Sequence, residues 1–215
     1  MCHSGGVNFF GHLVVARALG VDDGTRLGSM LPDLLPMCGA RPASTSDAVQ
    51  RGVTLHHRTD DVFHGTPAFR ALERAGKKRL LELGLRRGPA MAVAHVGVEL
   101  LLDGVLAADD DAVADFEHIV SGAAIEGWLD DGQARYEAMA KRLLAIEVPR
   151  VYADPDRVSD ALYRMLARRP RLALAAEDRA SVCTWLRAVQ PRVADARIAL
   201  ADGLVPAVRE RFTGA

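Results

Sequence analysis

The chain has 215 residues, 49% of them hydrophobic and 26% charged, a balance that supports one sizeable core and excludes a disordered polypeptide. With 27 Lys and Arg against 28 Asp and Glu, the formal net charge is -1, so no long-range basic field favours nucleic acid as a partner. No apolar run approaches the roughly 18 residues that span a bilayer, and Met1 to Gly6 lacks a basic region followed by an apolar stretch, so a cytoplasmic protein without a membrane span is expected.

Residues 8–19 read as a helix closed by Gly20. A polar turn leads to a short apolar segment, 27–35, where Pro32 is expected to bend the backbone. After the loop 39–46, Ser46 is placed to cap a helix running to about Phe63. Thr66-Pro67 and Gly88-Pro89 open helices of about 67–83 and 89–107, since proline suits the first helical turn. Asp109 to Asp111 break the pattern before 112–146, a helix or helix pair divided near Gly122. A connector, 148–156, precedes helices of about 157–168 and 176–212, the second interrupted near Pro191. Strand-length alternation and tight hairpin signals are absent. The expected architecture is an all-α, single-domain helical bundle over 1–215, with a metal site mainly from 8–104 and the helices of 157–212 completing the bundle. Cys2, Cys38 and Cys183 are an odd, widely spaced set, read as free thiols with Cys183 in the core.

His3, His12, His56, His57, His64 and His95 all precede residue 96, and only His118 follows. His56, Asp60 and His64 are spaced i, i+4, i+8, and each four-residue step on a helix turns a side chain by only about 40°. They share a face. His95, Glu99 and Asp103 repeat the spacing on a helix that is otherwise almost wholly apolar, so these polar groups are expected to be buried. A buried carboxylate needs a partner or a metal, and imidazole with carboxylate suits zinc, manganese or iron. His12 and Asp33 extend the set. His57 and Asp61 project about 100° away from His56 and Asp60. His3 and His118 are not expected to take part. Two basic clusters, Lys77-Lys78-Arg79 with Arg86-Arg87, and Arg164 with Arg168-Arg169-Pro170-Arg171, are either solvated faces or sites for a phosphate or an acidic protein.

Several segments, taken in order, resemble the acyl carrier protein phosphodiesterase family: Val7 to Leu13 (VNFFGHL), Leu27 to Asp33 (LGSMLPD), Gly52 to Asp60 (GVTLHHRTD), His95, and Met165 to Leu172 (MLARRPRL). The resemblance implies a helical fold distantly akin to HD-type phosphohydrolases, a divalent metal, often manganese, and release of phosphopantetheine from acyl carrier protein. It carries His12, Asp33, His56, Asp60 and His95 over as ligands. Glu99 is expected to be either a further ligand or the base, Arg58 to stabilise developing charge, and His57 or His64 to protonate the leaving group. This chain departs from the family at Ala94 and His64, both aspartate positions there, and at Ser29, an asparagine position. A weaker likeness links Gly28 to Asp33 and His95-x-x-x-Glu99 to zinc-dependent phospholipase C and related nucleases. The rival outside the enzymes is a metal-stabilised protein that binds without cleaving.

Overall fold

Five helices begin where a short polar side chain accepts a backbone N–H of the first turn: Asp22 from Thr25, Ser46 from Val49, Thr66 from Phe69, Asp109 from Ala112 and Asp154 from Asp156. These caps help delimit α1 (Phe9–Ala18), α2 (Asp23–Cys38), α3 (Asp47–Phe63), α4 (Pro67–Glu82), α5 (Arg87–Leu106), α6 (Asp110–Ser121), α7 (Gly132–Ala145), α8 (Pro155–Leu166), α9 (Arg179–Arg197) and α10 (Leu204–Thr213). The computed structural model describes residues 9–122, 125 and 127–213. Among them there is no strand, only an isolated bridge between Pro42 and Trp128. The all-α expectation holds, while Cys2 and His3 lie outside the described residues.

Two proline readings need correction. Pro32 and Pro36 lie inside a continuous α2, whose Gly39 closes it in the left-handed conformation with its N–H on the Leu35 carbonyl. Likewise α9 runs through Pro191, and the interruption comes at the π turn Ile198–Asp202, where the Gly203 N–H reaches back to the Ile198 carbonyl. Each of the three prolines takes one N–H out of a ladder that packing on either side holds in place. Asp109 caps α6, and Asp110 and Asp111 begin that helix instead of breaking it. Cys183 is half-buried, not a core residue.

α5 is the centre of the bundle, packed by α4, α9, α8 and α1. By length and composition it passes the test for a membrane span, with a mean hydropathy of 1.5, so the expectation of no such apolar run is also corrected. Its character is that of a core helix, because 72% of that stretch is buried inside the fold and it carries Glu99 and Asp103. Asp103 belongs to the architecture: its Oδ1 accepts the Gly11 N–H at 2.9 Å and so ties the first turn of α1 to α5.

Candidate metal centre

The site begins with a close crossing of α2 and α3. A Cβ on Gly28 would lie 2.1 Å from the Val49 carbonyl oxygen, and one on Gly52 would lie 2.2 Å from that of Thr25, so only glycine lets the two backbones touch. The contact brings the Ser29 carbonyl to 2.9 Å from His56 Nδ1. An imidazole nitrogen facing a carbonyl must donate, so the neutral ring carries its lone pair on Nε2, and the protonated ring donates from Nε2 to Asp60. This is a contact with the Ser29 main chain, and the Ser29 hydroxyl bonds elsewhere, to the Arg26 carbonyl.

His12 of α1 stacks on His56, with ring centroids 3.9 Å apart and planes 28° from parallel. Their Nε2 atoms lie 3.2 and 3.4 Å from the two carboxylate oxygens of Asp60, one helical turn beyond His56. Asp33 of α2 completes the group: His12, Asp33 and His56 each offer a donor atom, and these atoms lie within 4.8 Å of one another. All three are buried, and Asp33 Oδ2 has no hydrogen-bond partner. Burial drives the Asp33 carboxyl well above its usual range, and burial together with the charge of His56 lowers His12. At Asp60 burial acts upward, but the hydrogen bonds to His12 and His56 outweigh it and hold the carboxyl far below the usual carboxylate range. Burial also acts downward on His56, and Asp60 and Asp33 reverse it. Such a set of opposed shifts in one buried group marks a candidate functional site.

His95 is not gathered with these residues. It joins a second group in which His64 Nε2 and His95 Nε2 lie 3.0 and 3.2 Å from Glu99 Oε1. The reason is topological: His64 caps the C-terminus of α3, two turns beyond His56, and there the chain meets α4 and α5. His95 Nδ1 is 2.8 Å from Glu73 of α4, a residue the sequence reading missed. A signal existed, since Glu73 is four residues after buried Phe69 and adjoins the buried stripe of Leu72, Gly76 and Leu80. Burial would lower His95, but Glu99 and Glu73 raise it to about 9. The charge of Glu99 is also felt at His12 and Asp33, so the two groups are neighbours. Ala94 is wholly buried beside Gly76.

Asp33, His56 and Asp60 open into a groove of about 870 Å³ between α2, α3, α7 and α8. His57 also lines it, exposed, with its ring 5.2 Å from that of His56. α7, α8 and the turn after α8 line it with Arg142, Arg164, Arg168 and Arg169 and with Met139 and Met165, and α2 adds Met37. Among the described residues none of these four arginines takes a side-chain hydrogen bond or an ion pair, whereas Arg17, Arg150, Arg179 and Arg187 all do. Three members of the second basic cluster, Arg164, Arg168 and Arg169, thus line the same groove as Asp33, His56 and Asp60, and Arg171 does not. Arg58 does not: it is half-buried, outside the groove lining, and without hydrogen bond or ion pair among the described residues. Glu99 is buried beneath the groove and does not line it.

Fold and site together define an all-helical protein with buried imidazole–carboxylate groups, candidates for metal binding, next to a cationic groove. The family model for acyl carrier protein phosphodiesterase matches residues 7–188, and the chain belongs to that family. Comparison with curated proteins and with solved structures gives no match.

Proposed function

We propose that this protein is a metal-dependent phosphodiesterase that releases the 4'-phosphopantetheine arm of holo-acyl carrier protein. The observation that carries the reading is the meeting, in one groove, of the first imidazole–carboxylate group with four unpaired arginines, in a chain whose family acts on that carrier. The residues present fit a cation. Asp33 Oδ2 is buried and unpartnered, and His56 is oriented by Ser29 so that its Nε2 lone pair faces the group. His12, Asp33, His56 and Asp60 would hold the ion, two neutral and two anionic donors suited to a divalent metal. The chemistry such an ion supplies when bound is a water ionised near neutral pH and polarisation of a phosphoryl oxygen.

The chain's own residues do the rest. The arginines on α7, on α8 and just after α8 bind anionic groups of the substrate and hold the phosphodiester over Asp33 and Asp60. His57, exposed at the groove edge, is the imidazole placed to hand a proton to the leaving oxygen. Met37, Met139 and Met165 give the pantetheine arm an adaptable apolar wall. The test is hydrolysis of bis(p-nitrophenyl) phosphate across a panel of divalent ions, with parent protein and His56→Ala. Turnover that needs a metal and is lost with His56 supports the reading. Turnover unaffected by a chelator removes it.

A further inference from the structure

The second group is not used by the mechanism above. His64, His95 and Glu99 each offer a donor atom, all lying within 4.8 Å of one another. The plainer account is a hydrogen-bonded core network, and two observations stand against it. Glu99 is 1% exposed and its Oε2 has no partner, a costly arrangement that a cation would relieve. His95 Nδ1 is held by Glu73 at 2.8 Å while Nε2 faces Glu99, the carboxylate–histidine support that typically orients a metal ligand.

We propose that His64, His95 and Glu99 bind a second divalent cation, separate from the one assigned to His12, Asp33 and His56, and that this second ion is zinc. Two imidazoles and one carboxylate form a three-ligand zinc set with a fourth position open. The first group, richer in carboxylate once Asp60 is counted, admits a wider range of divalent ions, zinc included. The donors come from three places in the fold: the C-terminal cap of α3 supplies His64, α5 supplies His95 and Glu99, and α4 supplies the supporting Glu73. His64 reaches the buried Glu99 carboxylate from the end of α3 and so places a nitrogen donor beside it. The proposal deepens the metal-dependent reading and rests on it.

The test counts ions. Protein stripped with a chelator is dialysed against zinc and freed of excess, and zinc per chain is measured by mass spectrometry for the parent, His56→Ala, His64→Ala and Glu73→Gln, each checked for its melting transition. Two ions are expected in the parent and one in each histidine variant. Glu73→Gln should weaken one ion by about 10–100-fold and leave the other unchanged, a split that general misfolding would not produce. A single parent ion that survives His64→Ala and is lost with His56→Ala overturns the second site and leaves the first standing. A single ion with the opposite pattern upholds the second site and sinks the first. Two ions in folded His64→Ala overturn the second site, and no ion in the parent overturns both.

Discussion

Gly28→Ala is the substitution that most sharply separates the geometry of the site from its chemistry, because it changes no ligand. The new Cβ would lie 2.1 Å from the Val49 carbonyl oxygen and 2.8 Å from the Gly52 Cα, whereas ordinary contact begins at 3.4 Å. Both obstacles are backbone, so α2 and α3 must separate by roughly 1 Å, since a packed interior cannot absorb the clash locally. That shift would stretch the 2.9 Å contact of His56 Nδ1 with Ser29 O beyond useful hydrogen-bond length and carry Asp33 away from His56. Overpacking costs about 1–3 kcal/mol, and the lost bond about 1 kcal/mol more. At about 2–4 °C per kcal/mol for a chain of this size, the melting temperature should fall by roughly 4–16 °C. Metal occupancy at fixed free metal should fall with it, whereas Ser29→Ala, which keeps the carbonyl, should leave occupancy intact. Calorimetry and elemental analysis of the two variants decide the matter. A Gly28→Ala protein that melts with the parent and holds full metal would refute the idea that this crossing positions the site.

Reversing Arg164 and Arg168 to Glu should raise the KM for the carrier protein by about tenfold or more and flatten its dependence on salt, because unpaired groove charges act mainly on encounter; unchanged kinetics at low ionic strength would remove the arginine wall from the account. His57→Ala should lower kcat by about 10²-fold with metal content preserved, and a loss confined to KM would contradict its role as proton donor. Asp103→Ala should cost about 1–3 kcal/mol, measured by denaturant titration, because the buried Gly11 N–H loses its acceptor, whereas Asp103→Asn keeps it. Burial raises the Asp103 carboxyl well above its unfolded value, so the native state holds that proton longer and the residue's contribution falls as pH rises above the usual carboxylate range. Asp103→Asn should therefore flatten the stability profile on that side, and a profile identical to the parent's would contradict the shift.

Helical spacing carried much of the site, because α3 and α5 are continuous helices and four-residue steps stay on one face. His56 does reach Asp60, and His95 does reach Glu99, as that rule requires. Spacing within one helix cannot say which other helix it faces. The resemblance sets His95 beside His12 and Asp33 as a ligand, whereas in the structure it meets His64, Glu99 and Glu73. Asp103, third in its triplet, turns out to hold the start of α1, a contact 92 residues distant that no local pattern encodes. Prolines misled in the opposite sense. Local chemistry points to a bend at Pro32 and a break near Pro191, but α2 and α9 run through both prolines, and packing along each helix outweighs the missing N–H groups. The Ser46 cap is legible because capping is settled within four residues, and the start of α4 is legible from Pro67 in its first turn.

The central claim is that this groove cuts the phosphodiester of holo-acyl carrier protein. Mass spectrometry of holo-carrier incubated with the protein and, in turn, manganese, magnesium, zinc and iron reads that event directly. The account predicts a shift of the carrier to its apo mass, with free phosphopantetheine, in the presence of at least one of these ions and not in chelator. A carrier that keeps its full mass under every metal, with protein shown to be folded and loaded, would contradict it.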